Sequence, residues 1–119
     1  MGLPWYAFYP GDYARDTADL SLMDHGAYRL LLDFYYSNCD NSGGFLPLSF
    51  ESNCRICKAY SPEEKKTVKK IINKYFVRNG NKYFHSRADL EIQKQVEKHT
   101  KASQKAAAAA NAKWEKHRK

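Results

Sequence analysis

The sequence predicts a mainly α-helical (α+β) fold, a single winged helix-turn-helix domain, and three observations support this prediction. A lysine-rich amphipathic helix runs directly into a β-hairpin near the middle of the chain. Two helix signals precede it, with a short apolar stretch between them, which is the element order expected of a winged helix-turn-helix. The chain has 119 residues, 43% of them hydrophobic, enough to bury one modest core but not two.

An aromatic block opens the chain and is predicted to be extended. It runs from Trp5 to Tyr13, and Pro10-Gly11 predicts a turn near its end. The charged residues Asp12, Arg15 and Asp16 allow two interpretations. Two carboxylates beside an arginine are compatible with acid–base or metal chemistry, but they can also pair with one another as structural groups. We favour the structural interpretation, in which the aromatic side chains hold this segment against the first core helix.

The first core helix is predicted to begin after Ser21 and to end near Asn38. Ser21 and Asp24 have the spacing of a capping box. The apolar residues that follow cover much of the helix circumference, so we expect this to be the central core helix. Gly26 lies inside it and is predicted to be a close-packing point, because glycine costs up to about 1 kcal/mol of helix propensity.

A loop, a short strand and a second helix are predicted next. Residues 38–44 are polar and glycine-rich, residues 45–48 are apolar, and Ser49 can cap a helix that ends near Ala59. Cys54 and Cys57 form a CxxC motif. A zinc site would need a second close pair, and a redox motif would need a βαβ unit. The cysteines are therefore predicted to pack as small apolar residues, and no cofactor is expected.

The third helix and the hairpin contain the candidate functional residues. Ser61, Pro62 and Glu64 predict a capped helix start. Asn79-Gly80 predicts a type I′ turn between two short strands. One face of the helix is apolar, and the other is either a nucleic-acid-binding surface or an ordinary solvated face. Its polar residues are Lys66, Lys69, Lys70, Asn73 and Lys74.

The charge is distributed unevenly along the chain. Residues 1–58 contain four Lys/Arg and seven Asp/Glu, whereas residues 59–119 contain sixteen and six, within a formal net charge of +7. One face should therefore attract a polyanion, which could be nucleic acid, an anionic membrane surface or an acidic protein. The sequence has no apolar run long enough to span a bilayer and no signal-peptide pattern, so we expect a cytoplasmic protein that does not enter the membrane.

The C-terminal part of the sequence is basic and rich in alanine. A helix is predicted from Arg87 to about Thr100, and we divide the chain into a winged-helix domain (1–97) and a tail (98–119). Alanine favours helix but offers little to bury, so the tail is predicted to fray or to become ordered on a partner. Lys105 and Lys113 would add sequence-independent affinity for DNA, whereas a solvated terminus is the alternative.

Several of these motifs resemble the YdaU-like family of phage and prophage proteins. The resemblance extends to the helix-hairpin region and to motifs around Lys105 and Trp114. It implies a domain similar to the N-terminal winged-helix part of phage replication initiators. The motifs that carry it are Phe8 to Tyr13, Arg15-Asp16-Thr17, Leu20-Ser21-Leu22, His25-Gly26-Ala27-Tyr28, Leu31-Leu32-Asp33, Leu46-Pro47 and Arg87.

These observations predict a non-catalytic DNA-binding protein that acts in phage or prophage DNA replication initiation or its regulation in a bacterial host. Lysines of the third helix would contact phosphates, and Asn73 could read adenine in the major groove. Arg78 and Lys82 of the hairpin would reach the backbone or the minor groove. The alternative is a small phage protein-interaction module that binds and modulates a host protein. The sequence leaves the oligomeric state open, with a homodimer as one alternative.

Overall fold

A computed structural model of the chain describes residues 2–3, 5–40 and 42–98. The described residues have an α+β architecture with five helices and a small three-stranded antiparallel sheet. In chain order the elements are α1 (Pro10–Asp16), α2 (Leu22–Ser37), β1 (Leu46–Pro47), α3 (Phe50–Ile56), α4 (Pro62–Tyr75), β2 (Val77–Asn79), β3 (Lys82–Phe84) and a last helix, α5, over residues 86–98.

Helix α2 is the centre of the hydrophobic core, as the sequence predicted. The predicted capping box is present: the Ser21 hydroxyl accepts a hydrogen bond from the Asp24 N–H, and the Asp24 carboxylate accepts one from the Ser21 N–H. Leu31 and Tyr35 of α2 are fully buried. They belong to one apolar cluster with residues from β1, α4 and α5, namely Leu46, Ile71 and Ile92. The other helices and the sheet are thereby arranged around α2.

The sheet has the strand order β1-β3-β2, so the hairpin strand β3 lies in the middle. Leu46 of β1 and Arg78 of β2 both pair with Tyr83 of β3. This arrangement confirms the predicted strand near residues 45–48 and the predicted hairpin. Through β1 the hairpin is joined to the chain segment that leads into α3.

The turn of the hairpin differs from the predicted type I′ turn at Asn79-Gly80. Asn79 pairs with Lys82, so the two loop residues are Gly80 and Asn81. Gly80 has a positive φ of 66°, and Asn81 does not have a positive φ. A type I′ turn requires positive φ at both loop positions, whereas glycine at the first position alone is typical of type II′. The prediction was therefore wrong by one residue in register and in turn type.

The predicted turn at Pro10-Gly11 is instead the start of a helix. Pro10 is the first residue of α1, a position whose backbone N–H makes no hydrogen bond within the helix, so proline is tolerated there. Asp12 lies in the first turn, which favours a negative charge. The extended aromatic segment therefore ends before Pro10. Proline followed by glycine is compatible with either structure, and the sequence signal did not distinguish them.

Gly44 is a close-packing glycine of this fold, and Gly26 is not. Gly26 is exposed, and a Cβ atom built on it would have no neighbour within 4 Å outside its own helix backbone. The prediction for Gly26 was therefore wrong. Gly44 is buried, and a Cβ atom there would lie 2.5 Å from a ring carbon of Tyr35. The loop before β1 can approach α2 this closely only because residue 44 lacks a side chain.

The cysteines pack among apolar residues. Cys39 and Cys54 are buried in the core, which confirms the packing prediction for Cys54. Cys57 is half-buried, its Sγ lies 3.7 Å from the Ala27 carbonyl oxygen, and desolvation raises its pKa to about 12. Among the described residues, no group of three or more His, Cys, Asp or Glu residues is arranged to hold a metal ion. In the same residues, no helix has the length and apolar character needed to cross a membrane.

Candidate nucleic-acid interface

Helix α4 presents an apolar face to the core and a polar face to solvent. Its start is fixed by the predicted capping box, in which Ser61 and Glu64 exchange hydrogen bonds of 2.9 and 3.1 Å with each other's backbone N–H groups. The buried stripe consists of Val68, Ile71 and Ile72. The lysines of α4 lie on the side of the helix opposite this stripe, so they face away from the core.

All five polar residues predicted on this helix are exposed. Within the described residues, no salt bridge joins Lys66 or Lys69 to a carboxylate, and Asn73 lies one helical turn after Lys69. We refer to these three residues as the α4 basic face. Their polar groups are open to solvent and form a surface to which a polyanion has direct access.

The other two lysines, Lys70 and Lys74, are paired with carboxylates near the start of α2. Lys70 Nζ lies 2.8 Å from a carboxylate oxygen of Asp24, whose side chain is only 5% exposed. Lys74 forms a salt bridge with Asp19. The hydrogen bond from Lys70 lowers the pKa of Asp24 below its ordinary value. These lysines therefore connect α4 to α2, although the Lys70 side chain remains 57% exposed.

The two predicted hairpin residues lie on adjacent strands directly after α4. Arg78 of β2 is exposed, and its Nε donates a hydrogen bond of 3.3 Å to the Gly80 carbonyl oxygen. The Lys82 ammonium of β3 lies 4.4 Å from the centroid of the Phe45 ring, which is a cation–π contact. Both cations are near the hairpin turn. The two predicted residues of the tail, Lys105 and Lys113, lie outside the described residues.

From α3 to the first turn of α4, three exposed cations were not selected from the sequence: Arg55, Lys58 and Lys65. Arg55 lies in α3, one residue after the buried Cys54, and Lys58 follows this helix. The sequence analysis considered α3 only for its cysteines. Helical geometry could have identified Arg55, because consecutive residues of a helix are rotated by about 100° and its neighbour Cys54 was already predicted to be buried.

The charged residues of the N-terminal motif pair with α5. Arg87 lies 2.9 Å from Asp12 and 2.5 Å from Asp16, and Arg15 lies 2.7 Å from Asp12. We call the group Asp12, Asp16 and Arg87 the Arg87 clasp. The predicted pairing of Asp12 with Arg15 is confirmed, but the partner on α5 was not predicted. All three clasp residues are about half exposed, so each pair is expected to contribute about 1 kcal/mol or less.

Aromatic residues hold the N-terminal segment against α2. The Tyr13 hydroxyl lies 2.9 Å from His25 Nδ1, and the Tyr13 ring stacks on Tyr28 with centroids 6.0 Å apart. The Arg29 guanidinium lies 4.4 Å from the centroid of the Phe8 ring. These contacts agree with the structural interpretation of the N-terminal motif, although the residues from Pro10 onward are helical.

Comparison with known proteins places these features in a family. Residues 4–93 match a family described as "Protein of unknown function (DUF1376)". The chain belongs to the DUF1376 family. This member is 30% identical over 101 residues to the uncharacterized protein YdaU of Escherichia coli (strain K12), which confirms the YdaU-like resemblance. The alignment covers 85% of this chain and 33% of YdaU, so the chain spans about a third of that relative. No solved structure matches the chain.

Proposed function

We propose that this DUF1376 family member binds double-stranded DNA with α4 and the β2–β3 hairpin, without catalysing a reaction. The observation that carries the proposal is the α4 basic face, which leads directly into the hairpin. Its two lysines are exposed and have no carboxylate partner among the described residues. Lysines in this state can release counterions from DNA phosphates, which is the main source of affinity that does not depend on sequence.

The element order supports a winged helix-turn-helix arrangement. Helices α3 and α4 would form the helix-turn-helix, and the hairpin of β2 and β3 would be the wing. In such domains the second helix of the motif enters the major groove. The solvent-facing side of α4 is the side that this geometry would bring to the DNA.

The chemistry of the candidate residues favours backbone contacts over base contacts. Lys66 and Lys69 would bind phosphates as point charges, and Arg78 and Lys82 would do so from the wing. Asn73 is the one amide on the α4 basic face and can bind adenine through two hydrogen bonds. Lys70 and Lys74 would have to exchange a carboxylate partner for a phosphate. We therefore expect weak sequence preference.

The role in DNA replication initiation or its regulation rests on the resemblance to the N-terminal part of phage replication initiators. The same resemblance is the basis for proposing a phage or prophage origin and a cytoplasmic location in a bacterial host. Binding to DNA is the property that this role requires first, and it can be tested directly.

The test is a titration of duplex DNA and single-stranded DNA over a range of salt concentrations. The double variant Lys66→Glu/Lys69→Glu should weaken duplex binding at least about tenfold and lower the slope of log affinity against log salt by about 2, or about 1 for each lysine. The matched control is Arg15→Glu/Lys94→Glu, which makes the same charge change on α1 and α5, outside α4, the hairpin and the tail. The proposal is wrong if wild type does not bind at low salt, or if both variants lose the same affinity.

Two further variants separate the other candidate contacts. Asn73→Ala should leave the salt slope unchanged and reduce the preference among duplex sequences, because it removes an amide and no charge. Lys105→Ala/Lys113→Ala should lower the affinity for all sequences equally. If only the tail variant changed binding, α4 would be a solvated face and the tail would be the binding element.

A protein-interaction module remains the second candidate, because four large apolar side chains are strongly exposed. Leu22, Tyr60, Val77 and Trp5 are 92%, 79%, 70% and 68% exposed. Exposed aromatic residues often act as anchors in protein interfaces. Capture of a host protein by nuclease-treated wild type, and its loss in Trp5→Ser/Tyr60→Ser, would favour this candidate. Capture that disappears after nuclease treatment would instead indicate bridging by nucleic acid.

A further inference from the structure

A cavity of about 330 Å³ lies between the N-terminal segment, α1, α2, the end of α4 and α5. Aromatic rings form most of its wall, including Tyr6, Phe8, Tyr28, Tyr36 and Tyr75. Its volume lies in the range of small-molecule sites, which are typically concave and lined by aromatic groups with a few polar atoms. A flat ring can bind among such side chains by stacking or edge contacts.

Arg29 supplies an unused hydrogen-bond donor at this cavity. Its guanidinium lies 4.4 Å from the Phe8 ring centroid and 5.8 Å from the Tyr13 ring centroid. Its Nη1 is buried and has no hydrogen-bond partner in the part of the chain that the structure describes. Its Nη2 lies 3.8 Å from Asp33, whose carboxylate also accepts a hydrogen bond from Tyr6. A buried N–H of a charged group without an acceptor is costly, so an acceptor from a ligand would be bound favourably.

The other charged residues of the cavity wall all lie in salt bridges, namely Asp12, Asp16, Lys74, Arg87 and Glu91. Lys74 is paired with Asp19, and Arg87 is held by the two carboxylates of the clasp. Tyr28 and Tyr36 stay uncharged near neutral pH, because desolvation raises the pKa of Tyr28 and raises that of Tyr36 to about 12. The cavity is therefore better suited to an uncharged planar group with acceptor atoms than to a phosphate in its interior.

We propose that this cavity binds a nucleobase, with a carbonyl oxygen or ring nitrogen of the base accepting a hydrogen bond from the Arg29 guanidinium. Stacking of bases on aromatic side chains is sequence-tolerant, so purines and pyrimidines are both candidates. Lys74 and Tyr75 are the last two residues of α4, so the cavity adjoins the end of the proposed DNA-binding helix. The base can come from a free nucleotide or from an unpaired position of a strand. The second source rests on the proposed function, and the first does not.

The test is calorimetric titration of the full chain with each deoxynucleoside monophosphate, with deoxyribose 5-phosphate as the ligand that lacks a base. We expect nucleotide binding and no binding of the sugar phosphate. Arg29→Met should weaken nucleotide binding at least about tenfold, because it removes a charged hydrogen-bond donor. Arg55→Met makes the same change on the exposed side of α3, away from the cavity, and should leave nucleotide affinity within about twofold.

A second variant distinguishes loss of nucleotide binding from loss of folding. A pair of single-stranded DNA ligands tests whether a strand supplies the base. Phe8→Ala removes one wall of the cavity at a side chain that is 46% exposed, so it should lower nucleotide affinity with a smaller change in the thermal midpoint than a core substitution would cause. Single-stranded DNA should lose affinity when one central base is replaced by an abasic site if a strand supplies the base. If the intact strand and the abasic strand bind equally well while free nucleotides still bind, the site is assigned to free nucleotides.

Two outcomes would overturn this inference. One is equal binding of nucleotides and deoxyribose 5-phosphate, which would place a phosphate site at the rim. The other is no nucleotide binding by wild type at millimolar concentration while duplex DNA still binds, which leaves the proposed function intact. Nucleotide binding without duplex binding would instead contradict the proposed function and support the cavity.

Discussion

The hydroxyl of Tyr35 donates a hydrogen bond of 2.6 Å to the carboxylate of Asp89, and its oxygen accepts a second bond of 3.0 Å from the backbone N–H of His85. Asp89 also accepts a bond from the Gly44 N–H. Tyr35 is fully buried in α2, so one side chain joins the central helix to the start of α5 and to the loop before β1.

The substitution Tyr35→Phe should destabilise the fold by roughly 1–3 kcal/mol. It leaves the part-buried backbone N–H of His85 without its partner and removes one of the two hydrogen bonds that the Asp89 carboxylate accepts. Urea unfolding measures the change. Tyr60→Phe is the matched control, because Tyr60 is exposed and should change the free energy of unfolding by no more than about 0.5 kcal/mol. Equal effects of the two variants would contradict this account.

Asp24 should make the fold sensitive to acid. Its carboxylate accepts hydrogen bonds from Lys70 and from the Ser21 N–H, and the bond from Lys70 lowers its pKa. A group with a lowered folded pKa stabilises the fold above its unfolded pKa of about 3.8, and this stabilisation is lost as pH falls through the folded pKa. Asp24→Asn should therefore cost about 1 kcal/mol at pH 7 and less below pH 4.

Unfolding of Asp24→Asn at pH 7 and at pH 3 measures this difference. Glu97→Gln removes an exposed carboxylate near the end of α5 and should leave the pH dependence of wild type unchanged. The assignment to Asp24 would be wrong if the asparagine variant lost as much stability in acid as wild type.

His85 should give a second loss of stability at a higher pH. Its Nδ1 accepts the N–H of Ala88 at the start of α5, and its Nε2 lies 2.8 Å from the Tyr28 hydroxyl. Burial lowers the pKa of His85 below its ordinary value of 6.5. Below pH 6.5 the unfolded chain therefore binds a proton that the folded chain does not, so stability falls until the folded pKa is reached.

Stability measured from pH 8 to pH 5 tests this prediction. The wild-type stability should rise with pH in that window, with a slope of at most about 1.4 kcal/mol per pH unit from the one proton involved. His85→Gln keeps an acceptor in the side chain and cannot titrate, so its slope should be smaller. Identical slopes would show that another group controls this range.

The two glycines at positions 26 and 44 should respond to alanine in opposite directions. Gly26 is an exposed helical residue with space around it, so Gly26→Ala should stabilise the fold by roughly 0.5–1 kcal/mol. Gly44→Ala places a methyl group 2.5 Å from the Tyr35 ring and should destabilise it. Thermal unfolding of both variants measures the pair. Loss of stability in Gly26→Ala would indicate that another molecule packs on this position.

The features predicted from the sequence are those determined by neighbouring residues. The capping boxes at Ser21 and Ser61 need partners only three residues away, and both were predicted. The hairpin turn shows the limit of local information. Asn79-Gly80 and Gly80-Asn81 are both turn dipeptides, and the choice follows from strand pairing between Val77 and Phe84.

Long-range pairs could not be predicted, because a charge in a sequence indicates its sign and not its partner. Lys70 and Lys66 have the same local pattern on one helix, yet Lys70 reaches Asp24, 46 positions away in the sequence, and Lys66 is in no salt bridge among the described residues. The candidate site is thus only partly readable from sequence. The helix and its polar side were predicted, but the division between structural and solvent-facing lysines was not.

The Arg87 clasp also determines how short a fragment of this chain can be if the contacts of the clasp are to be kept. Its partners are separated by 75 positions for Asp12 and by 71 for Asp16. A fragment that began at α2 or ended at β3 would keep every residue of the α4 basic face and the hairpin, but would leave one side of the clasp without its opposite charge. A shortened chain used to test the proposed DNA binding should therefore retain both α1 and α5, and the family match over residues 4–93 includes both sides of the clasp.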